Sequence, residues 1–387
     1  MTYLNMEETQ LKASGALSTA KEIAGQPTLW KSIFERLVVD SKEISGFIDL
    51  VLQDAGKIIL TGAGTSAYIG HSVEGAMQRK LGVTTVSVPT THLVSHPQDY
   101  FQREVSTLLV SFARSGDSPE SLAAVNLADS HIDRCFHLVI TCNEQGGLAK
   151  YKAKEKSYVV LLPPQANDKS LAMTGSYSGM LLAAILLCDY RDVSAQRGVV
   201  DAIVDYGNQL LGRNVLGDIK GLAGLDFDRA VFLGSGPLFG TAMESHLKLQ
   251  ELTDGDVVCK NDSYLGFRHG PKAVVNERTL LVYYFSNNAK VLRYEKDLVE
   301  GMAIGKRPLK QVGISTVPID GLSVDTLIVL GEGQVDAVPE EFLCVCFILF
   351  GQLLGLFKSL HLGLEPDSPS KSGAISRVVQ GVKIYQT

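Results

Sequence analysis

The sequence has no cysteine pair of the kind that marks a zinc knuckle or a disulfide framework. Its six cysteines are scattered, and none forms a C-x-x-C pair. We therefore expect reduced and mostly buried thiols and no metal site. The H-x-x-x-H spacing of His92 and His96 is more typical of structural or surface histidines. The N-terminus, MTYLNMEETQ, lacks a basic stretch followed by an apolar core, so no signal peptide is predicted.

Long apolar runs and an excess of positive charge are missing as well. The uncharged apolar run from Phe342 to Phe357 is shorter than the roughly 20 apolar residues that span a bilayer and predicts a buried helix. Lys and Arg number 36 against 42 Asp and Glu, a net charge of −6 that disfavours nucleic acid as a partner. Because hydrophobic residues make up 45% and charged residues 20%, a mainly disordered chain is excluded. We expect a cytoplasmic protein without a membrane partner.

What the sequence does contain is an internal repeat. KIILTGAGTSAYIG, from Lys57, and RAVFLGSGPLFGTAM, from Arg229, are both short apolar runs that end in G-x-G. A second pair, STLLVSFARSGDSPES from Ser106 and RTLLVYYFSNNAKVLR from Arg278, follows them. Both pairs share one offset, 172 residues, which favours a duplicated unit over coincidence.

The repeat predicts two tandem α/β domains, each a mainly parallel sheet flanked by helices. Buried strands are predicted at 57–61, 107–112, 138–141, 158–162, 230–233, 280–285, 313–318 and 326–330. Helices are predicted at 19–26, 28–52, 66–80, 120–129, 175–187, 241–253 and 341–360. The predicted division is an N-terminal helical segment (1–50), a first domain (51–194), a helical connector (195–228), a second domain (229–365) and a loop-like tail (366–387).

Two strand-end loops of the first repeat combine glycines with small hydroxyls. Residues 62–66 read GAGTS, and residues 113–118 read ARSGDS. At the carboxyl ends of parallel strands, helix N-termini offer unpaired amides to an anion, and Arg114 adds a cation. The loops therefore predict a phosphate monoester site, with helix capping by Ser66 and Ser118 as the structural alternative. The glycines do not fit G-x-G-x-x-G, and no Gly-Lys-Ser/Thr ends a P-loop pattern, so no cofactor is expected.

Five segments in order carry a family resemblance: TGAGTSAY, SFARSGDSPES, LAMTGSYSGML, MESHLKLQELT and GFRHGPKAVV. They resemble the paired sugar isomerase (SIS) domains of glucosamine-6-phosphate synthase. The entry segment TAKEIAGQPTLW and the tail PDSPSKSGAISRVVQGVKIY are most similar to bacterial galactosamine-6-phosphate deaminase/isomerases, also called tagatose-6-phosphate ketose/aldose isomerases. The resemblance implies that Ser66, Ser115 and Ser118 hold the phosphate. Thr65 is added to them as a further hydroxyl of the first loop. Arg114 stands where the synthase has a glutamine, and the serine before it is replaced by alanine.

The resemblance also implies the acid–base groups. It places the catalytic glutamate on Glu251 and the ring-opening histidine on His269. Histidine is the residue type whose unperturbed pKa lies near neutral pH, which suits proton transfer there. Lys248 lies three residues before the glutamate, on the same helical face. Thr174 is the expected sugar contact. The family's C-terminal lysine contacts the open-chain sugar in the synthase; Lys371 and Arg377 are the nearby cations here, Arg377 is taken as the counterpart, and the tail is expected to close the pocket. Because the histidine of relatives crosses into the neighbouring subunit's site, a homodimer with shared active sites is implied.

The direction of the reaction follows from the resemblance and from length. About 50 residues precede the first repeat, so we expect no glutamine-cleaving domain and an enzyme that releases ammonia. The leading interpretation is conversion of galactosamine-6-phosphate to tagatose-6-phosphate and ammonia through ring opening and an enolamine. Aldose–ketose isomerisation without ammonia release, glucosamine-6-phosphate deamination and non-catalytic sugar-phosphate sensing stay open. No basic helix-turn-helix segment favours a transcription regulator.

Overall fold

The computed structural model describes residues 1–331, 338–377 and 381–385. In chain order, the first half contains β1 Thr2–Tyr3, β2 Met6–Glu7, α1 Glu8–Ala13, α2 Leu17–Leu52, β3 Lys57–Thr61, α3 Thr65–Leu81, β4 Thr84–Ser87, α4 Thr90–Ser95, α5 Pro97–Tyr100, β5 Thr107–Ala113, α6 Pro119–His131, β6 Cys135–Thr141, β7 Ser157–Leu161 and α7 Gly175–Leu186. The second half contains α8 Arg197–Leu210, α9 Arg213–Ala223, β8 Arg229–Leu233, α10 Pro237–Leu252, β9 Val258–Asp262, α11 Tyr264–Phe267, β10 Thr279–Tyr284, α12 Ala289–Gly301, β11 Lys310–Ser315, β12 Thr326–Val329 and α13 Glu340–His361.

The chain divides into two compact units, each built on one five-stranded sheet. The sheet-1 unit comprises Thr28–Asp168, Met173–Val200 and Ile375–Thr387. The sheet-2 unit comprises Met1–Pro27, Lys169–Ala172 and Asp201–Ala374. These units are defined by packing, whereas the boundaries drawn from the sequence follow the repeat, and those boundaries stay a prediction.

The two sheets share one topology. Sheet 1 has the strand order β4-β3-β5-β6-β7, and sheet 2 has the equivalent order β9-β8-β10-β11-β12, with every neighbouring pair parallel. Strands β3 and β8 are offset by 172 residues, and so are the starts of β5 and β10. The predicted fold class, two repeated α/β domains, is confirmed.

The start of the helix after the first strand is built in the same way in both repeats. Gly64 has φ +54° and ψ −126°, and Gly236 has φ +52° and ψ −127°. Residues with a Cβ rarely adopt this backbone region, so glycine is required at both positions. The second glycine of each G-x-G thus permits the sharp entry from strand to helix.

All eight strands predicted from the sequence are present, with ends that shift by up to three residues. The edge strands β4 and β9 were missed because they are short and mostly exposed or half-buried, so their sequences lack a continuous apolar run. Helix α12 was missed as well, whereas α8 and α9 lie within residues 195–228, the predicted helical connector. Among the described tail residues after Leu364 no helix or strand occurs, as predicted.

The prediction of two N-terminal helices was wrong, because α2 continues through Pro27. A proline inside a helix has no N–H to give to the carbonyl four residues before it. Here the side-chain amide of Gln26 donates to that carbonyl, Ile23 O, over 3.4 Å. This substitute donor satisfies the freed acceptor, so the helix is not interrupted.

The predicted buried helix is α13. By length and composition alone it is apolar enough to cross a membrane, yet 94% of its most apolar 18-residue window is buried inside the protein. Such burial is typical of a core helix.

Candidate active site

The first hydroxyl-bearing loop follows β3 and enters α3. Thr65 and Ser66 lie in the first turn of the helix, and both are buried. The residue that caps this helix is Gly64, so Ser66 is inside the helix and does not serve as its N-cap. Its amide donates to the carbonyl of Ala63 over 3.1 Å. The helix start therefore holds the Ser66 side chain at the carboxyl edge of sheet 1.

The second loop follows β5, the neighbour of β3, so both loops lie at the same edge of sheet 1. Ser118 is the N-cap of α6, but its hydroxyl makes no capping bond and instead donates to Ser121 Oγ over 2.6 Å. Ser115 is held through its carbonyl, which accepts from the side-chain amide of Asn143 over 2.8 Å. Gly116 adopts φ +71°, a left-handed turn that brings the chain back toward α6.

The equivalent place in the second repeat is occupied by the protein itself. At the end of β10, the amide of Ser286 donates to the carboxylate of Glu295 over 2.9 Å, and this glutamate is fully buried. Burial raises the pKa of Glu295 to about 7, because the charged form is desolvated. The internal carboxylate of Glu295 thus accepts the hydrogen bond of a strand-end amide that a ligand would need.

Thr174 precedes α7 and is fully buried. Its hydroxyl donates to the carboxylate of Asp168 over 3.1 Å. The same carboxylate accepts the amides of Thr174, Gly175 and Ser176 over 2.9, 3.0 and 2.9 Å, which places a negative charge at the start of α7. The sequence pattern did not reveal Asp168, because it lies seven residues before the first residue of α7, too far for a capping signal.

Arg377 and Arg114 are joined in the structure. The Arg377 guanidinium donates to the main-chain oxygen of Asp168 over 3.0 Å and to Asn167 Oδ1 over 3.0 Å. In turn, Arg114 Nη2 donates to the main-chain oxygen of Arg377. Arg114 itself is buried, 6% exposed. Within the sheet-1 unit, the turn at 167–168 therefore connects three of the predicted site elements: the loop after β5, the start of α7 and the tail.

The predicted acid–base groups of the sheet-2 unit lie on α10. Lys248 Nζ donates to Glu251 Oε2 and lies 3.3 Å from Glu244 Oε1. The lysine and Glu244 are fully buried, whereas the Glu251 side chain keeps 23% of its surface exposed. Burial lowers the pKa of Lys248, but the two carboxylates outweigh burial and raise it. This arrangement holds a protonated lysine against a carboxylate that remains reachable by a small molecule.

His269 follows the short helix α11 on a separate segment of the same unit. Its amide donates to the carbonyl of Gly266 over 2.9 Å, and its side chain is exposed. The next residue, Gly270, has φ +113°, a conformation that favours glycine. The backbone thus presents the imidazole at the surface of the unit.

One group of three potential metal ligands occurs among the described residues, Asp129, Cys135 and His137, all buried. Its polar atoms bind each other and their neighbours: His137 Nε2 contacts Asp129 Oδ1 at 2.8 Å, and Tyr151 donates to Asp129 Oδ2 over 2.7 Å. Burial would raise the pKa of Asp129, but these contacts outweigh it and lower the pKa. The arrangement is that of a charged hydrogen-bond network inside the core of the sheet-1 unit.

Comparisons with known proteins agree with these features. No protein-family model matches the chain. The chain is 38% identical to the D-galactosamine-6-phosphate deaminase AgaS of Shewanella sp. (strain ANA-3), over 99% of this chain and 95% of that relative. It is 33% identical in sequence to the protein in the crystal structure of tagatose-6-phosphate ketose/aldose isomerase from Escherichia coli. The two structures match with a TM-score of 0.84 over 95% of this chain and 96% of that chain.

A more distant relative agrees with the resemblance to the synthase. The chain is 24% identical to a glutamine–fructose-6-phosphate aminotransferase of Lactiplantibacillus plantarum, over 90% of this chain but 56% of that relative. The strand-end loops and the helix with the buried lysine are consistent with this resemblance, and so is the similarity over the full length of the chain. With 38% identity across nearly the whole of both chains, this protein belongs to the AgaS family.

Proposed function

We propose that the chain converts D-galactosamine-6-phosphate to tagatose-6-phosphate and ammonia. After the sugar ring opens, Glu251 removes the proton from C2, next to the C1 aldehyde, the aldehyde oxygen takes a proton from the substrate's ammonium group, and an enolamine forms. Return of that proton to C1 gives a ketose with an imine at C2. Water adds to the imine carbon, ammonia leaves, and the C2 carbonyl of tagatose-6-phosphate remains. No oxidant is needed, because the electrons move within the substrate.

The observation that carries this proposal is the ion pair between Lys248 and Glu251. The reaction needs a carboxylate held where it can accept a proton, and the buried ammonium group of Lys248 fixes the Glu251 carboxylate in position. Proton transfer by a positioned base contributes about 10²–10⁴-fold to the rate. The name of the Shewanella relative, a galactosamine-6-phosphate deaminase, supports the choice of substrate.

The phosphate is bound, in this proposal, by Thr65, Ser66, Ser115 and Ser118 with Arg114, and Thr174 contacts the sugar. The amides at two adjacent helix starts and the small hydroxyls supply neutral donors, while the guanidinium supplies charge. The filled equivalent place in the second repeat supports one phosphate per chain. Equilibrium dialysis with inorganic phosphate should therefore find one site per chain.

His269 opens the ring by taking the proton of the anomeric hydroxyl and giving a proton to the ring oxygen. Its exposure supports a role in the active site of a second subunit of a homodimer. Mixing inactive Glu251→Gln and His269→Gln proteins tests this. A shared site regains about a quarter of the wild-type activity in the mixture, whereas a site formed by one chain regains none.

The decisive assay measures ammonia and tagatose-6-phosphate released from galactosamine-6-phosphate, with glucosamine-6-phosphate and galactose-6-phosphate as matched substrates. We expect equal amounts of both products from the first substrate. The name of the Escherichia coli structure favours one second candidate, simple isomerisation. If only galactose-6-phosphate reacts, that candidate is correct and the proposed deaminase is wrong.

We place the protein in the cytoplasm, where hexose phosphates are metabolised.

A further inference from the structure

Arg377 contacts the sheet-1 unit in two ways. Its guanidinium is fixed to the turn before α7, through the main-chain oxygen of Asp168 and the side chain of Asn167. Its main-chain oxygen accepts a hydrogen bond from Arg114. The side chain thus serves as an anchor, and the backbone of the same residue contacts the cation expected to bind phosphate.

The main-chain oxygen of Asp168, to which the Arg377 guanidinium is bound, is held rigidly. Asp168 is 1% exposed, and its carboxylate accepts three amides of the α7 start as well as the hydroxyls of Thr174 and Ser176. A residue held by this many bonds keeps its main-chain oxygen in one place. An arginine bound to that oxygen is therefore fixed relative to α7.

The bond to Arg114 orients the guanidinium without cancelling its charge. Guanidinium is a planar group with five N–H donors, and a carbonyl oxygen that accepts from Nη2 fixes the plane and occupies one edge. The carbonyl is neutral, so this contact leaves the positive charge in place.

We propose that Arg377 is a positioning residue for phosphate binding, which acts on the substrate through Arg114 and without touching the sugar. The inference rests on the proposed function for the role of Arg114 in phosphate binding. It differs from the expectation drawn from the sequence, in which the Arg377 side chain meets the sugar directly. A positioning role makes the contribution of Arg377 depend on Arg114.

A double-mutant cycle tests this dependence, with the KM for galactosamine-6-phosphate and the Kd for inorganic phosphate as readouts. Arg114→Ala should raise both constants about 10–100-fold, the loss expected for a hydrogen bond to a charged group. Arg377→Ala should raise them about 10-fold in the wild type, yet less than about 2-fold in the Arg114→Ala protein. Arg377→Lys keeps the carbonyl and one donor to Asp168, and should recover part of the loss. The kcat should stay within about 3-fold in all variants.

The control is Arg103→Ala, since Arg103 is 77% exposed in its surface pair with Asp133 and lies before β5, away from the carboxyl edge of the sheet. We expect no change in either constant, and far-UV circular dichroism verifies that each variant is folded. If the effects of Arg114→Ala and Arg377→Ala multiply in the double variant, or if Arg114→Ala has no effect, the positioning role is wrong. If the wild type binds neither phosphate nor the sugar phosphate, the proposed function itself fails.

Discussion

Replacing Lys248 with methionine removes the ammonium ion that faces two carboxylates on α10. Lys248 Nζ lies 3.3 Å from Glu244 Oε1, and both side chains are fully buried, so water cannot take the place of the lost partner. At an effective dielectric constant of 20, the attraction at this distance amounts to about 5 kcal/mol. Breaking a buried pair from one side costs about 3–5 kcal/mol. We expect Lys248→Met to lower the free energy of unfolding by that amount at pH 8.

The loss of unfolding free energy in Lys248→Met depends on pH, and the contacts of Lys248 in the structure give the direction of that dependence. The two carboxylates raise the pKa of folded Lys248 above its unfolded value, against the effect of burial. The stabilisation is therefore complete below the unfolded pKa, about 10.4, and is lost as the pH rises through the higher folded pKa. In Lys248→Met, the buried Glu244 carboxylate takes up a proton as the pH falls. The deficit relative to wild type should then be smaller at pH 5 than at pH 8.

Urea unfolding followed by far-UV circular dichroism measures both effects. The matched control is the double variant Lys248→Met with Glu244→Met, which replaces both ends of the pair with apolar side chains. It should unfold within about 1–2 kcal/mol of the wild type, because no buried charge is left uncompensated. A deficit below about 1 kcal/mol for Lys248→Met, or a double variant as unstable as the single one, would refute the reasoning.

Three further predictions concern other parts of the chain. A Cβ at Gly62 would lie 2.6 Å from the main-chain carbon of Ser66, so Gly62→Ala should displace the start of α3 and weaken inorganic phosphate binding about 10-fold in dialysis. The control Gly75→Ala, at an exposed position of the same helix, should leave phosphate binding unchanged and raise the free energy of unfolding by about 0.5–1 kcal/mol. Equal effects of the two substitutions on binding would contradict this. Asp367 caps the first turn of α2 with its carboxylate, and Asp367→Ala should lower the free energy of unfolding by about 1–2 kcal/mol, so an unchanged urea midpoint would count against the cap. Burial raises the pKa of Glu295 to about 7, above the unfolded value near 4.3. This one group should therefore lower the free energy of unfolding of the wild type by up to about 3 kcal/mol as the pH rises from 4 to 8. Glu295→Gln should remove that loss and be the more stable protein at pH 8 in urea titrations, with no difference near pH 4; equal stability at pH 8 would show that the acid is not strained by burial.

The sequence was sufficient for the repeat, the parallel strands and the buried helix α13, because these depend on apolar runs and turn glycines that can be counted directly. It was insufficient for β4 and β9, whose edge positions expose much of each strand and leave no apolar run. It also failed at Pro27, where the side chain of Gln26 supplies the donor that proline lacks. The local rule that proline ends a helix does not hold there, because a side-chain contact that the sequence does not reveal compensates for the missing donor.

The candidate site shows the same limits. Residue types and order predicted the strand-end hydroxyls and the pair of Lys248 with Glu251, but not the bonds that occupy Thr174 and Arg377. Glu244 was missed, although its spacing of four residues before the lysine is a known signal for a helical ion pair. Burial, which sets the strength of that pair, depends on packing against the rest of the sheet-2 unit and follows from no local pattern.

The most direct measurement of the central claim compares wild type with Glu251→Gln, for both ammonia release from galactosamine-6-phosphate and binding of that sugar phosphate. The account predicts a kcat lower by about 10²–10⁴-fold, with a Kd within about 3-fold of wild type, since the variant keeps the phosphate-binding groups and loses only the base. Undiminished ammonia release by Glu251→Gln would contradict the account, because the C2 proton would then be removed by another group.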